Sequence, residues 1–279
     1  MPELRSLPEG LGKQLRSFLK SNGHLVVLTG AGISAESGIP TFRGKEGYWT
    51  IGSAEYQPEE MATHWMFERN PEDVWIWYLY RRGICRSAKP NAGHIATVAM
   101  EKALGNRFLL ITQNVDGLHL RAGNSMERTY QIHGNIDFAR CDNNCGKPRW
   151  LLSNELGGKK KGESLTDRER ELLRCPECGG WARPHVLWFD ECYDDENFHF
   201  QASLKAASTA KVLLVVGTSG ATNLPMQVGT SAMRAGCIVV DINPEPNPFS
   251  RLAETAQCGF FLESTAGPIL TAIAKVLMG

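Results

Sequence analysis

No stretch of the 279-residue chain approaches the ~18 uninterrupted apolar residues of a membrane-spanning helix. The opening residues, Met1-Pro2-Glu3-Leu4-Arg5, lack the apolar segment of a secretory signal. An excess of one charge is missing too, because 30 basic and 30 acidic residues cancel. A neutral chain offers no electrostatic footprint for nucleic acid or for a membrane surface. The single basic run, Lys159-Lys160-Lys161, reads as a solvated loop. Internal repeats and long low-complexity tracts are also absent. Eight cysteines without a secretory signal argue against a disulfide framework and for metal ligands or free thiols in a reducing compartment. Together these absences predict a cytoplasmic globular protein.

What remains is a chain of ordinary hydrophobic content, long enough for one large domain carrying an insertion. Short aliphatic runs at 25–28, 108–112, 212–216, 238–242 and 260–262 end in Gly, Thr or Asn, as buried parallel strands do. Helical patterns at 9–21, 93–104, 198–208, 225–235 and 268–278 separate them. The alternation predicts an α/β fold with a doubly wound, parallel, Rossmann-like sheet. Two stretches break the rhythm. One, 44–87, is rich in Trp and Tyr, and its helix opens at Asn70-Pro71-Glu72-Asp73, with Asn70 as cap and Pro71 in the first turn. The other, 137–184, holds paired cysteines. The reading is a sheet domain from 1–43, 88–136 and 185–279, with 44–87 and 137–184 forming a smaller lobe.

The strand at 25–28 runs into Thr29-Gly30-Ala31-Gly32-Ile33-Ser34-Ala35. Gly30 and Gly32 would let backbone N–H groups approach a pyrophosphate at a helix N-terminus. A hydride-transferring dehydrogenase would also need a second strand ending in an acidic residue about 20 positions on. Lys45-Glu46-Gly47-Tyr48-Trp49 has no such strand before it, so that chemistry fits poorly.

Cys141 and Cys145 form one close pair, Cys175 and Cys178 another, and glycines follow both. Glycine lets the backbone turn tightly around an ion, and four thiolates make a closed, structural zinc site. The remaining Cys85, Cys192, Cys237 and Cys258 read as buried free thiols.

The segment Gly30-Ala31-Gly32-Ile33-Ser34-Ala35-Glu36-Ser37-Gly38-Ile39-Pro40-Thr41-Phe42-Arg43 resembles the cofactor loop of sirtuins. Thr112-Gln113-Asn114-Val115-Asp116-Gly117-Leu118-His119 resembles their second motif, and His133-Gly134 their catalytic pair. Gly217-Thr218-Ser219 and Ile242-Asn243-Pro244-Glu245 resemble the two late nucleotide segments. Cys258 falls where the last adenine-side contact lies.

The resemblance implies an enzyme that consumes NAD and removes acyl groups from lysine side chains of a protein or peptide. The nicotinamide–ribose bond is broken as the acyl oxygen attacks the anomeric carbon. His133 acts as general base on a ribose hydroxyl, leading to O-acyl-ADP-ribose; a pKa of about 6.5 suits that role. Asn114 and Asp116 are implied to hold the nicotinamide end and Gln113 the ribose. Ser34, Glu36, Pro40 and Thr41 are implied to join the glycine loop around the cofactor. Phe42 and Arg43 would shield the reacting sugar from water.

Tyr78 and Arg81 lie three apart on one helix face and resemble the Tyr-x-x-Arg pair of succinyl- and malonyl-lysine deacylases. A guanidinium pairs bidentately with a carboxylate while a phenol adds a further bond. Thr41, where deacetylases of the family usually carry Asp, leans the same way. The stretch Arg183–Glu191 resembles the substrate clamp, where a peptide adds as a strand. Val186 and Trp188 are expected on one side and Phe189 on the other. Two departures stand out: Asp190 replaces the usual Gly, and Gly220-Ala221-Thr222-Asn223-Leu224-Pro225 is about one residue longer than the common pattern and lacks its Val. They keep two other readings open, ADP-ribosyl transfer or NAD hydrolysis, and a non-catalytic NAD or ADP-ribose sensor.

Overall fold

A computed structural model describes residues 7–40, 49–51, 54–160 and 162–279 of the protein. Its strands are β1 His24–Thr29, β2 Trp49–Ile51, β3 Ala54–Tyr56, β4 Phe108–Thr112, β5 Thr129–Gln131, β6 Gly134–Cys141, β7 Trp150–Leu151, β8 Ala182–Val186, β9 Ala210–Val216, β10 Ile238–Asn243 and β11 Gly259–Glu263.

Six of them form one sheet in the order β11-β10-β9-β1-β4-β5. Every pairing in it is parallel. The five apolar runs of the sequence are strands; in β1, β4, β9 and β10 residues buried on both faces need aliphatic side chains, while β11 is a half-buried edge strand. β5 is a sixth strand that the pattern does not mark, being only Thr129-Tyr130-Gln131. From β1 the chain winds outward to β4 and β5, then crosses to β9 on the other side of β1. Strand order therefore reverses at β1, and open α/β sheets place ligands outside the carboxyl ends of strands at that point.

Helices Glu9–Leu19, Ala92–Leu104 and Ala266–Met278 cover one face of the sheet, sharing a core with Leu25, Val27, Leu214 and Val240. The other face packs Val26, Leu28, Leu213 and Val215 against Leu224, Val228 and Phe249. A helix expected over 198–208 is two helices, Asp195–Phe198 and Phe200–Thr209, broken where His199 takes a left-handed φ of 54°.

A second core joins the helices His64–Arg69 and Pro71–Ser87 to the three-stranded sheet β7-β6-β8. It contains Phe67, Trp75, Trp77, Tyr78, Ile136, Leu152, Leu173 and Trp188. This is the smaller lobe. Trp75 crosses it, its indole N–H reaching the Ala182 carbonyl at 2.8 Å. Pro71 opens the long helix as expected, but Asn70 makes no side-chain cap bond; its amide lies 3.6 Å from Met66 Sδ instead. The lysine run is not wholly solvated either. Lys159 is only 10% exposed and pairs with Glu169 at 2.8 Å.

Candidate active site

The loop after β1 is built by close approach rather than by free donors. Gly30 N–H donates to the Val216 carbonyl at 2.9 Å and Gly32 N–H to the Gly217 carbonyl at 2.8 Å. A Cβ on Gly30 would lie 2.7 Å from Thr218 Cβ, and one on Gly32 would lie 2.6 Å from Gly217 Cα. These glycines let the loops after β1 and β9 touch, and their N–H groups are spent in doing so. Any backbone N–H group offered to a pyrophosphate by this loop therefore comes from a residue other than Gly30 and Gly32. Glu36 also turns elsewhere: its carboxylate accepts from Thr265 Oγ1 and from Gly267 N–H, at the start of the helix Ala266–Met278. Ala31 is half-buried and Pro40 exposed. Thr41, Phe42 and Arg43 lie outside the described residues.

Four predicted polar side chains converge at the carboxyl ends of β1 and β4. Buried Ser34 donates its hydroxyl to Asp116 Oδ2 at 2.7 Å and accepts from Asn114 Nδ2 at 3.0 Å. Asp116 Oδ1 accepts from Leu118 N–H at 2.8 Å. Burial raises the Asp116 pKa, against the opposing pull of the Ser34 hydroxyl and the Leu118 N–H. Gln113 spans the crevice, donating to Thr218 Oγ1 at 2.9 Å and accepting from Thr222 Oγ1 at 3.1 Å. The lengthened loop after β9 is thus tied to the site by Thr222, which sequence reasoning passes over. Asn243 anchors the same loop through the Thr218 carbonyl at 2.9 Å. Ser219 and Glu245 are exposed nearby in sequence, while Cys258 is half-buried against the sheet core.

His133 sits between β5 and β6. Its Nδ1 lies 3.0 Å from the Gln113 carbonyl and its Nε2 2.8 Å from the Tyr193 hydroxyl. A carbonyl only accepts, so Nδ1 carries the proton in the neutral ring and Nε2 is the basic nitrogen. Burial pushes the imidazole pKa down to about 4, offset in part by the Gln113 carbonyl. At neutral pH the ring is therefore unprotonated, and burial makes its protonated form costly until a partner in the site offsets that cost. Gly134 must be glycine: its φ is 84°, and a Cβ would meet the His185 carbonyl oxygen at 2.0 Å.

Predicted acceptor-side residues are stitched to this histidine. The His133 carbonyl accepts from Leu187 N–H at 3.0 Å. One residue on, Trp188 is buried and donates its indole N–H to Tyr78 Oη at 2.9 Å. Burial raises the Tyr78 pKa far beyond its ordinary range, so the phenol stays neutral. Arg81 lies over the Trp77 ring at 5.2 Å. Val186 is buried with Trp188, while Phe189 is 56% exposed, in keeping with the expected alternation.

Asp190 holds the backbone in place. Its two carboxylate oxygens accept from His64 N–H at 2.9 Å and Trp65 N–H at 3.0 Å, at the start of the helix His64–Arg69. Glu191 pairs with Arg183 and Arg140. Those roles, like that of Tyr193, rest on contacts between residues distant in sequence. No spacing rule announces them.

The cysteine quartet closes as predicted. Its four sulfurs lie within 4.8 Å of one another, with Cys141–Cys178 at 3.5 Å and Cys145–Cys175 at 3.6 Å. A zinc–sulfur length of about 2.3 Å would place tetrahedral thiolates about 3.8 Å apart, so the donor set fits zinc. Burial alone would raise the Cys175 thiol, but the Cys178 and Glu177 N–H groups bring it down to about 7. Of the other thiols, Cys85 and Cys237 are buried as expected, Cys258 is half-buried and Cys192 is exposed. Cys192 follows Glu191 in the irregular segment between the clamp and the next helix.

The Sir2 family model matches residues 30–223. An NAD-dependent protein deacylase of Leptospira interrogans is 38% identical over 252 residues, covering 90% of this chain and 92% of that protein. One of Aquifex aeolicus is 41% identical over 233 residues, covering 84% and 88%. Among solved structures, a Sir2 homolog–NAD complex superposes with a TM-score of 0.78 at 32% identity, covering 97% of this chain and 94% of the other.

Proposed function

The chain belongs to the Sir2 family, and from that footing we propose that it is an NAD-dependent protein-lysine deacylase that prefers succinyl- and malonyl-lysine. The observation that carries the reading is the fixed tautomer of His133, with Nδ1–H held by Gln113 and a free-base Nε2 at the carboxyl edge of the sheet. Bound NAD supplies an electrophilic sugar carbon once its bond to nicotinamide breaks.

The chain's residues do the rest. Ser34, Asn114 and Asp116 form one hydrogen-bonded cluster suited to the amide and ring of nicotinamide. Gln113 is held from two sides, a fixed position from which it would meet the ribose. His133 takes the proton of a ribose hydroxyl, and the imidazolium that forms is steadied by the Gln113 carbonyl. By the same resemblance, Phe42 and Arg43 would shield the sugar from water. Zinc is structural, held by Cys141, Cys145, Cys175 and Cys178, since four protein ligands leave no position for chemistry.

The acyl preference rests on Tyr78 and Arg81. Tyr78 Oη accepts the Trp188 indole N–H, so its own proton remains to donate to a carboxylate. Arg81 supplies the matching charge one helical turn away, and buried Val186 belongs to the same core as Tyr78.

The purified protein is incubated with NAD and matched succinyl-, malonyl- and acetyl-lysine peptides, and products are followed by mass spectrometry. Acidic acyl groups should be removed fastest, yielding O-acyl-ADP-ribose. Arg81→Met should slow their removal about 10- to 100-fold, the worth of a charged hydrogen bond, with acetyl removal changed less. His133→Ala should cost about 10²- to 10⁴-fold with every peptide. NAD consumption that ignores peptide altogether would sink this reading in favour of hydrolysis or ADP-ribosyl transfer.

A further inference from the structure

The nitrogen of His133 able to take a proton is already engaged. Tyr193 Oη lies 2.8 Å from Nε2, and with Nδ1 protonated toward Gln113 the phenol must be the donor. A sugar hydroxyl therefore cannot reach Nε2 unless Tyr193 leaves or takes part.

The structure makes leaving difficult. On one side of Tyr193, Glu191 is held by Arg183 and Arg140 and also accepts the Trp188 N–H. On the other, Asp194 caps the helix Asp195–Phe198 through the Asn197 N–H. The Tyr193 ring stacks on Phe200, with centroids 6.1 Å apart and planes 24° from parallel. The ring is half-buried. A phenol oxygen that donates one hydrogen bond can still accept another.

We propose that Tyr193 relays the proton between the ribose hydroxyl of bound NAD and His133. The inference rests on the deacylase reading above. The hydroxyl O–H bond breaks and its proton passes to Tyr193 Oη, as the phenol's own proton passes to Nε2. The sugar oxygen is left as the nucleophile, the phenol ends neutral as it began, and the positive charge resides on the imidazole. Burial pushes the phenol up to about 12, so it keeps the proton the relay needs at neutral pH. It is the hydroxyl, not the ring, that does this chemistry.

Tyr193→Phe keeps the ring and its stack on Phe200 and removes only the relay. In the ligand-free protein, the ¹⁵N resonance of His133 Nε2 should move to that of an acceptor without a donor. With NAD and an acyl-peptide, O-acyl-ADP-ribose formation should fall about 10²-fold or more. Exchange of labelled nicotinamide into NAD, which requires no base, should persist. On a His133→Ala background the substitution should add little further loss, as partners in one step do.

Unchanged or faster deacylation in Tyr193→Phe would overturn the relay and leave the phenol a removable cap. Equal losses of exchange and deacylation would overturn it too, as a purely structural effect. A wild-type protein that leaves every acyl-peptide untouched would instead sink the deacylase reading, and the NMR arm would still report whether the contact exists.

Discussion

In the parallel sheet, β1, β9 and β10 each bury five or more consecutive residues, nearly all aliphatic. The smaller lobe has no run like these. Its sheet has three strands, and its largest side chains carry polar atoms that must be satisfied inside the core. Trp75 and Trp188 each place an indole N–H on a partner. Arg82, 3% exposed, is held by Asp137 and the Leu156 carbonyl. Arg183 lies beneath Trp188 at 3.4 Å and pairs with Glu191. Apolar burial dominates in the sheet, whereas the lobe depends more on cross-links. Each link is expensive to halve, by about 1–3 kcal/mol for an abandoned indole N–H and more for an abandoned buried charge.

The largest test of that contrast is removal of the metal. Structural zinc contributes about 10 kcal/mol or more to small domains. All seven tryptophans lie between Trp49 and Trp188, so indole fluorescence reports on the lobe and its flank, not on the far strands of the sheet. Chelation, or Cys175→Ala, should shift that emission sharply and abolish peptide deacylation. Amide exchange in β1, β9 and β10 should stay slow. If those amides lose protection in the same transition, the two regions fold as one unit and the contrast fails.

Next in size is a test inside the sheet. Asp241 on β10 is 0% exposed, with Oδ2 on Asn247 Nδ2 at 2.8 Å and Oδ1 unpartnered among the described residues. Burial raises its pKa to about 7. In the unfolded chain the value is about 3.9. The native state therefore holds the proton more tightly. Its contribution is complete below about pH 4, falls as pH rises, and is lost through pH 7. Urea unfolding of wild type minus Asp241→Asn should show that decline, by as much as roughly 4 kcal/mol. A flat difference would mean that water reaches this part of the sheet, weakening the claim that it is held by dry apolar burial.

The same contrast governs what the sequence discloses. Dry strands need aliphatic residues throughout, so β1, β4, β9 and β10 are legible as runs; the half-buried edge strand β11 is legible through Phe260-Phe261-Leu262. β5 is not, because Thr129-Tyr130-Gln131 is a short edge strand with one neighbour. The cysteine quartet is legible because its spacing reflects one ion. Gly30 and Gly32 are marked correctly as a loop at the strand's end, but sequence cannot say that their N–H groups are spent on Val216 and Gly217. Asp190 registers only as a departure, and its two bonds to the helix His64–Arg69 span more than a hundred residues. Tyr193 gives no signal at all, since its partner is 60 positions away.

The smallest expected effect falls on the Tyr78–Trp188 bond, where stability and specificity meet. Tyr78→Phe removes an acceptor and leaves the Trp188 N–H buried without a partner, a cost of about 1–3 kcal/mol. Because Trp188 belongs to the lobe's core, the loss should appear in the indole-detected unfolding midpoint and leave exchange in β9 and β10 unchanged. The same variant should slow removal of succinyl and malonyl groups more than acetyl. The two results separate two roles of one hydroxyl: accepting from Trp188 holds the lobe, and donating outward reads the acyl group. A stability loss without a change in acyl preference would assign Tyr78 to the lobe alone and leave Arg81 as the single reader of the distal carboxylate.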